Sequence, residues 1–193
     1  KRFDIPVYTK QRTWREIQDK LVVPKNQLIE LTKGSLTLGN LIVEPFAVSH
    51  DAADPIGINV FSGKDKATVV TDTGIISDDI LHRIDDSTLL VLEANYDPHM
   101  LRFGPYQPFL KQRVASDKGH LSNEMAAQAL LMMKRPDFMQ VILAHRSENN
   151  NNAVLVTQTI GKMLVDGGVS IGSEMKLQHG QPNEIVSMQS IKR

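Results

Sequence analysis

In the first half of the chain, apolar and polar residues alternate at a period of two, the spacing of half-buried strands. Leu36 and Leu38 lead through a Gly39-Asn40 turn into Leu41–Val48, and Ile58–Ser62 leads through Gly63-Lys64-Asp65 into Ala67–Asp72, so two strand hairpins are predicted. A short strand is predicted before them at Ile5–Thr9, and the spacing of Trp14, Ile17 and Leu21 predicts a helix over Thr13–Lys20. Ser77 offers a side-chain cap with two aspartates behind it, which predicts a short helix over Ser77–Ile84. Leu89–Ala94 is an unbroken apolar run, read as a strand buried on both faces.

Helix and strand then alternate. Ser122 caps a helix predicted to run to Lys134, with Ala126, Ala129, Leu130 and Met133 as its buried face. Val141–Ala144 is the next strand, Ala153–Val165 a helix closed by Gly167-Gly168, and Glu184–Met188 the last strand. Hairpins first and helix–strand units later predict a layered α/β fold with mixed sheets. No linker divides the sequence, so residues 1–193 are read as one domain.

Composition narrows the function. The 193 residues carry 22 Lys plus Arg against 22 Asp plus Glu, so a nucleic-acid partner would have to meet a local basic patch and not a net field. Zero cysteines exclude a disulfide scaffold, a thiolate nucleophile and cysteine-ligated metal. The longest apolar runs, such as Leu89–Leu92 and Ala129–Met133, are too short to cross a bilayer, and no secretory pattern opens the sequence. The expectation is a cytoplasmic protein without membrane contact.

Chemistry concentrates in the histidines. His50 and His145 each end an apolar strand, and Asp72 ends a third just before Thr73-Gly74. Two imidazoles and a carboxylate at strand tips suit zinc or manganese. The competing reading for each, taken singly, is a structural histidine. His120 lies two residues before the Ser122 cap, where helix N–H groups attract anions, and can hold or protonate a phosphate oxygen. Equally, Ser122 could serve only as a cap and His120 only pack. Arg102, Lys111, Arg113 and Lys118 share a stretch with a single acid, Asp117, and are interleaved with Tyr106 and Phe109. That local excess can track a phosphate backbone, or can be a solvated helix face. Ser122, Asn123, Arg102 and Arg113 are the candidate substrate contacts. His82 and His179 are expected at the surface, and His99 is undecided.

Together, Val48-Ser49-His50-Asp51, Thr71-Asp72-Thr73-Gly74, Gly119-His120-Leu121-Ser122-Asn123-Glu124 and Leu143-Ala144-His145-Arg146-Ser147 resemble the later motifs of the metallo-β-lactamase superfamily in order and spacing. Ser49–Pro55, Ser116–Glu124, Glu93-Ala94-Asn95-Tyr96-Asp97 and Glu148-Asn149-Asn150 are similar to its WalJ/YycJ-type branch of bacterial double-stranded DNA exonucleases. The likeness runs from about Ile5 to about Lys162. It implies a four-layer αββα sandwich with two divalent metal ions, zinc or manganese, at one sheet edge. His50 and His145 would each ligate one ion, Asp72 would bridge both, and His120 would contact the scissile phosphate. The implied reaction is two-metal hydrolysis, with a hydroxide made nucleophilic at neutral pH attacking phosphorus.

The superfamily's His-x-His-x-Asp-His signature, which supplies most of the ligands, has no counterpart here, nor does the strand pair that carries it. The expectation is therefore the later portion of a longer sandwich, unable to complete a dinuclear site alone. Arg146 is a second departure, a cation directly after a ligand position. The leading expectation is a DNA-cleaving phosphodiesterase. The alternatives are hydrolysis of a small phosphodiester or other small substrate on the same site, and a non-catalytic truncated remnant that self-associates through exposed sheet.

Overall fold

The computed structural model describes residues 5–21, 23–32 and 34–186. A seven-stranded sheet forms its centre. Strands β3 (Leu36–Leu38), β4 (Leu41–Ala47), β5 (Ile56–Ser62) and β6 (Asp65–Val70) make an antiparallel meander, and β7 (Leu89–Glu93), β8 (Met139–Ala144) and β9 (Met175–His179) continue it in parallel from β6. Spatial order follows chain order, because each parallel step is bridged by helix: α2 (Asp78–Ile84), then α3 (Pro98–Phe103), α4 (Pro108–Val114) and α5 (Asn123–Met132), then α6 (Ala153–Asp166). Ahead of the sheet, β1 (Val7–Thr9) and β2 (Leu28–Glu30) pair in parallel around α1 (Gln11–Ile17). Among the described residues, no helix is long and apolar enough to cross a membrane.

The pleat sorts the strands into two unlike faces. Phe46, Val70, Leu90, Leu92, Val141, Leu143 and Met175 point to one side and form the core with Ile80 and Ile84 of α2, Ala126, Ala129 and Leu130 of α5, and Val156, Ile160 and Leu164 of α6. The opposite face carries Val43, Pro45, Ile58, Val60, Val91 and Ile142, all only half-buried, and Val69, which is exposed. The helices thus cover one side of a sheet whose other side is also aliphatic. β7 alternates accordingly: Leu90 and Leu92 are fully buried while Leu89 and Val91 are not, so this strand is not buried equally on its two faces as expected.

Local chemistry explains the element ends. The Ser77 side chain accepts from the Ile80 N–H, and Lys66 reaches across from β6 to give its Nζ to the carbonyls of Arg83 and Asp85, closing the other end of α2. α5 stops at Met132 and not at Lys134, because the Lys134 N–H goes instead to Asp85 Oδ1 at 2.8 Å and its carbonyl to the Asp86 N–H. The last strand is also corrected. β9 lies at Met175–His179, where Met175 and Leu177 fill the helix side beside Met139 and Val141. Of the predicted Glu184–Met188 strand, residues 184–186 carry no strand and the rest lies outside the described residues.

Candidate metal centre

β4 and β6 are both antiparallel to β5, and β6, β7 and β8 are mutually parallel, so β4, β6, β7 and β8 all end at the same sheet edge. His50 follows β4, Asp72 follows β6, Glu93 closes β7, and His145 follows β8. His120 comes to the same edge from the loop before α5. Asp72 and His145 each take φ of 54°, a left-handed turn that breaks the strand direction directly after the ladder ends.

Glu93 organises the cluster. Its side chain is 0% exposed; one oxygen accepts the Thr73 N–H at 3.0 Å, and the other meets Nδ1 of both His120 and His145 at 2.7 and 2.8 Å. A carboxylate only accepts, so both Nδ1 atoms carry hydrogen and, whenever the rings are neutral, both Nε2 atoms keep their lone pairs. His50 is set the same way by donating Nδ1–H to the Gly119 carbonyl at 2.9 Å. Burial pushes the Glu93 carboxyl up, but the bonds from His120, His145 and Thr73 outweigh it and hold it below its ordinary value. The same Glu93 bond raises the His145 pKa against the opposing effect of burial.

Asp72 Oδ1 lies 3.8 Å from His50 Nε2 and 3.6 Å from His145 Nε2. Ligands at zinc distances from one tetrahedral ion stand roughly 3.4 Å apart, so Asp72 with His50, and Asp72 with His145, each stand near the spacing of two ligands on a divalent cation. The donor sets that close fully are His50, Asp72, His120 and Glu93, His120, His145. Glu93 has both its oxygens engaged and fixes the imidazoles instead. The His120 ring sits between the other two, with centroids 5.0 Å from His50 and 5.2 Å from His145.

The loop carrying His120 reaches the cluster because glycine permits it. A Cβ on Gly119 would stand 2.2 Å from the Arg113 carbonyl oxygen and 2.3 Å from that of Val114. Gly74, just past Asp72, is as tightly placed against the Ser116 carbonyl. Arg113 spans the gap between this loop and the metal edge with two bonds to Asp51, Nη2 to Oδ1 at 3.0 Å, which depress the Asp51 carboxyl. His50, Asp72, Arg113, Gly119, His120 and His145 line a cleft of about 480 Å³ together with Tyr106 and Arg146. Arg146 Nη1 is buried there without a partner among the described residues.

Of the expected site residues, His50, Asp72, His120 and His145 converge, and Arg113 borders the cleft while tied to Asp51. Three expected substrate contacts do not reach it. Ser122 is buried and spends its hydroxyl capping α5 at Met125. Asn123 is 0% exposed and paired with Asn151 at 2.8 Å. Arg102 lies outside the cleft, with its guanidinium over the Phe103 ring. His82 is exposed as expected, whereas His179 is half-buried in β9 and bonds Thr157 through Nε2. His99 packs on Phe103. Sequence reading missed Glu93 as a functional group, and Asn95, whose amide holds the His145 carbonyl at 2.7 Å. The available signal was a carboxylate closing an apolar strand, which demands partners if buried.

Residues 1–145 match the profile of the β-lactamase superfamily domain. The chain is 32% identical over 193 residues to a Bacillus anthracis protein named exodeoxyribonuclease YycJ, covering 99% of this chain and 73% of that one. It is 29% identical over 196 residues to Streptococcus pneumoniae exodeoxyribonuclease WalJ, covering 99% and 72% respectively. Among solved structures it is similar to the metallo-β-lactamase fold protein YhfI from Bacillus subtilis, with a TM-score of 0.63 at 14% identity, covering 91% of this chain and 62% of that one. The profile accounts for most of the sequence and YhfI for the sheet and helices, so the chain belongs to the β-lactamase superfamily and has its metallo-β-lactamase hydrolase fold, which implies divalent metal.

Proposed function

We propose that this chain contributes the phosphodiester-cleaving edge of a metal-dependent DNA nuclease acting in the cytoplasm. The observation that carries the reading is the Glu93–His120 pair, 2.7 Å long, placed beside the Asp72, His50 and His145 donors. His120 stands within ligand spacing of His50 and Asp72, and is assigned to the phosphate because its Nδ1 is already committed to the buried Glu93. With Nδ1–H anchored on a buried carboxylate, its Nε2 can take up a proton and pass it to a leaving oxygen, while Glu93 stabilises the imidazolium. Arg146, whose Nη1 has no partner among the described residues, adds positive charge at the cleft suited to phosphate oxygens, while Arg113 at the rim is paired with Asp51. The relatives named exodeoxyribonuclease support DNA as substrate.

His50, Asp72 and His145 would hold divalent metal, zinc or manganese. When bound, such ions supply Lewis acidity toward phosphate oxygens and lower the pKa of water. The remaining work falls to the chain: Glu93 and Gly119 keep the imidazoles in the ligating tautomer, and Arg146 orients the phosphate. In the metal-loaded protein, His120→Ala lowers cleavage of linear DNA by about 10²–10⁴-fold with metal content unchanged. Unchanged cleavage would remove His120 from the reaction. The zero net charge favours a second reading, hydrolysis of a small phosphodiester. A shallow salt dependence of substrate binding would select it, and a steep one DNA.

A further inference from the structure

α3 and α4 form a helical arm beside the cleft, stiffened at both helix starts by proline at Pro98 and Pro108. The arm has a small core of its own, Tyr96, Leu101 and Val114 with Tyr106 and Leu110 packed against it. Two large rings are left out of that core: Phe103 is 67% exposed and Phe109 71%. The charge around them has one sign. Between the Asp97 cap and Asp117 there is no acidic residue, while Arg102, Lys111 and Arg113 fall in that interval and Lys118 just beyond it. Arg113 is neutralised by Asp51, but Arg102, Lys111 and Lys118 have no ion-pair partner among the described residues. Lys111 gives its Nζ to the Arg102 carbonyl and the Arg102 guanidinium stands 5.4 Å from the Phe103 ring centre, so both cations are held close to the exposed aromatics.

We propose that this arm is a stacking platform for unpaired DNA nucleotides, with Phe103 and Phe109 receiving base faces and Arg102 and Lys111 the intervening phosphates. Exposed aromatics and cations without ion-pair partners among the described residues, carried on one helical arm, match the chemistry of a single strand, whose bases offer free π-faces. A duplex interior does not match, because each base face there is already covered by its neighbour. A protein partner would meet uncompensated positive charge around the rings. Since Tyr106, Leu110 and Arg113 line the catalytic cleft, a strand held on the arm continues into it. The inference rests on the nuclease reading and adds to it the state of the substrate: an end or overhang whose last nucleotides are unstacked.

The test is binding by the full chain in chelator, so that no hydrolysis enters the measurement. Fluorescence anisotropy with a short oligothymidylate and with a blunt duplex of equal length should show clear preference for the single strand. Phe103→Ala/Phe109→Ala should weaken oligothymidylate binding by about tenfold or more without changing its salt slope. Arg102→Gln/Lys111→Gln should lower that slope by about 1.4, the value for two single-strand phosphate contacts. Phe103→Trp/Phe109→Trp should restore binding and Phe103→Leu/Phe109→Leu should not. Equal affinity for blunt duplex, full binding by the leucine variant, or absence of binding would overturn the platform. So would a dimer in sedimentation that the alanine variant converts to monomer, which would make the rings a contact between copies. DNA hydrolysis by the metal-loaded protein that ignores all these variants would sink the platform alone. Strand binding by a metal-loaded protein that cleaves no phosphodiester would sink the nuclease reading alone.

Discussion

Replacing Glu93 with Gln separates the fold from the chemistry at a single atom pair. The native carboxylate, itself fully buried, takes one backbone N–H from Thr73 and two imidazole N–H groups from the partly exposed His120 and His145, all within 3.0 Å. A glutamine oxygen can keep the Thr73 bond, which leaves its amide hydrogens facing two Nδ1 atoms that also carry hydrogen. The clash resolves if both imidazoles move their proton to Nε2 and accept at Nδ1. The buried groups are then satisfied again, so the stability loss stays near 1–3 kcal/mol, the difference between a charge-assisted network and a neutral one. Glu93→Ala offers no such rescue and, with a cavity and unpaired donors, costs about 3–5 kcal/mol. Metal binding responds in the opposite sense. An Nε2 that carries hydrogen has no lone pair to give, so Glu93→Gln lowers metal affinity about 10–100-fold, as loss of an outer hydrogen-bond partner does. Urea unfolding of the metal-free chain, competition against a chelating dye and nitrogen NMR of the histidine tautomers measure the three quantities. Native His120 and His145 with hydrogen already on Nε2, or a glutamine variant with undiminished affinity, would refute the reasoning.

Three further outcomes follow from the same geometry. The Glu93–His145 bond is strongest while both partners are charged: its contribution is fully present below the ordinary histidine value of 6.5 and is lost as pH rises through the raised His145 value. On the acid side it is present above the ordinary carboxylate value of 4.5 and lost as pH falls through the depressed Glu93 value. The melting temperature of the metal-free chain should therefore fall on the alkaline side, and Glu93→Gln should flatten that fall; a flat native profile counts against the ion pair. Gly119→Ala must displace the Arg113 and Val114 carbonyls and should cost about 1–3 kcal/mol in urea unfolding, with loss of the His50 acceptor read as weaker metal binding. The half-exposed aliphatic face of Val43, Ile58, Val60 and Ile142 should drive self-association of this chain in sedimentation, reduced by Val60→Glu; a native monomer at all concentrations would refute it.

The strand-end positions of the candidate donors were legible because the signal is local. Alternation fixes where β4, β6 and β8 stop, two hairpins bring β4 and β6 to one edge, and helical crossovers keep β8 parallel to β6, so the placement of His50, Asp72 and His145 follows from pattern and connection type. Helix caps were legible for the same reason at Ser77 and Ser122, where side chain and backbone are three residues apart. What failed needed distant partners. Ser122 and Asn123 have the residue types of both a cap and a phosphate ligand, and only burial against Asn151 decides between them. β9 was missed since two apolar residues among Lys176, Gln178 and His179 do not announce a strand until Met139 and Val141 are beside them. α3 and α4, at six and seven residues, are too short for a periodic signal.

The two left-handed residues at the sheet edge have a consequence for how such a protein can change. A side chain at φ of 54° is tolerated, not favoured, and glycine would relieve the backbone at both Asp72 and His145. At Asp72, demand for folding alone therefore runs toward glycine, while the proposed ligation runs away from it; at His145 the same relief is offset by loss of the bond to the buried Glu93. Asp72→Gly is thus the substitution by which a descendant would gain thermal robustness as it surrenders the proposed metal donor. Such a descendant would keep every strand and the whole core, and a glycine at position 72 would be the record of the loss.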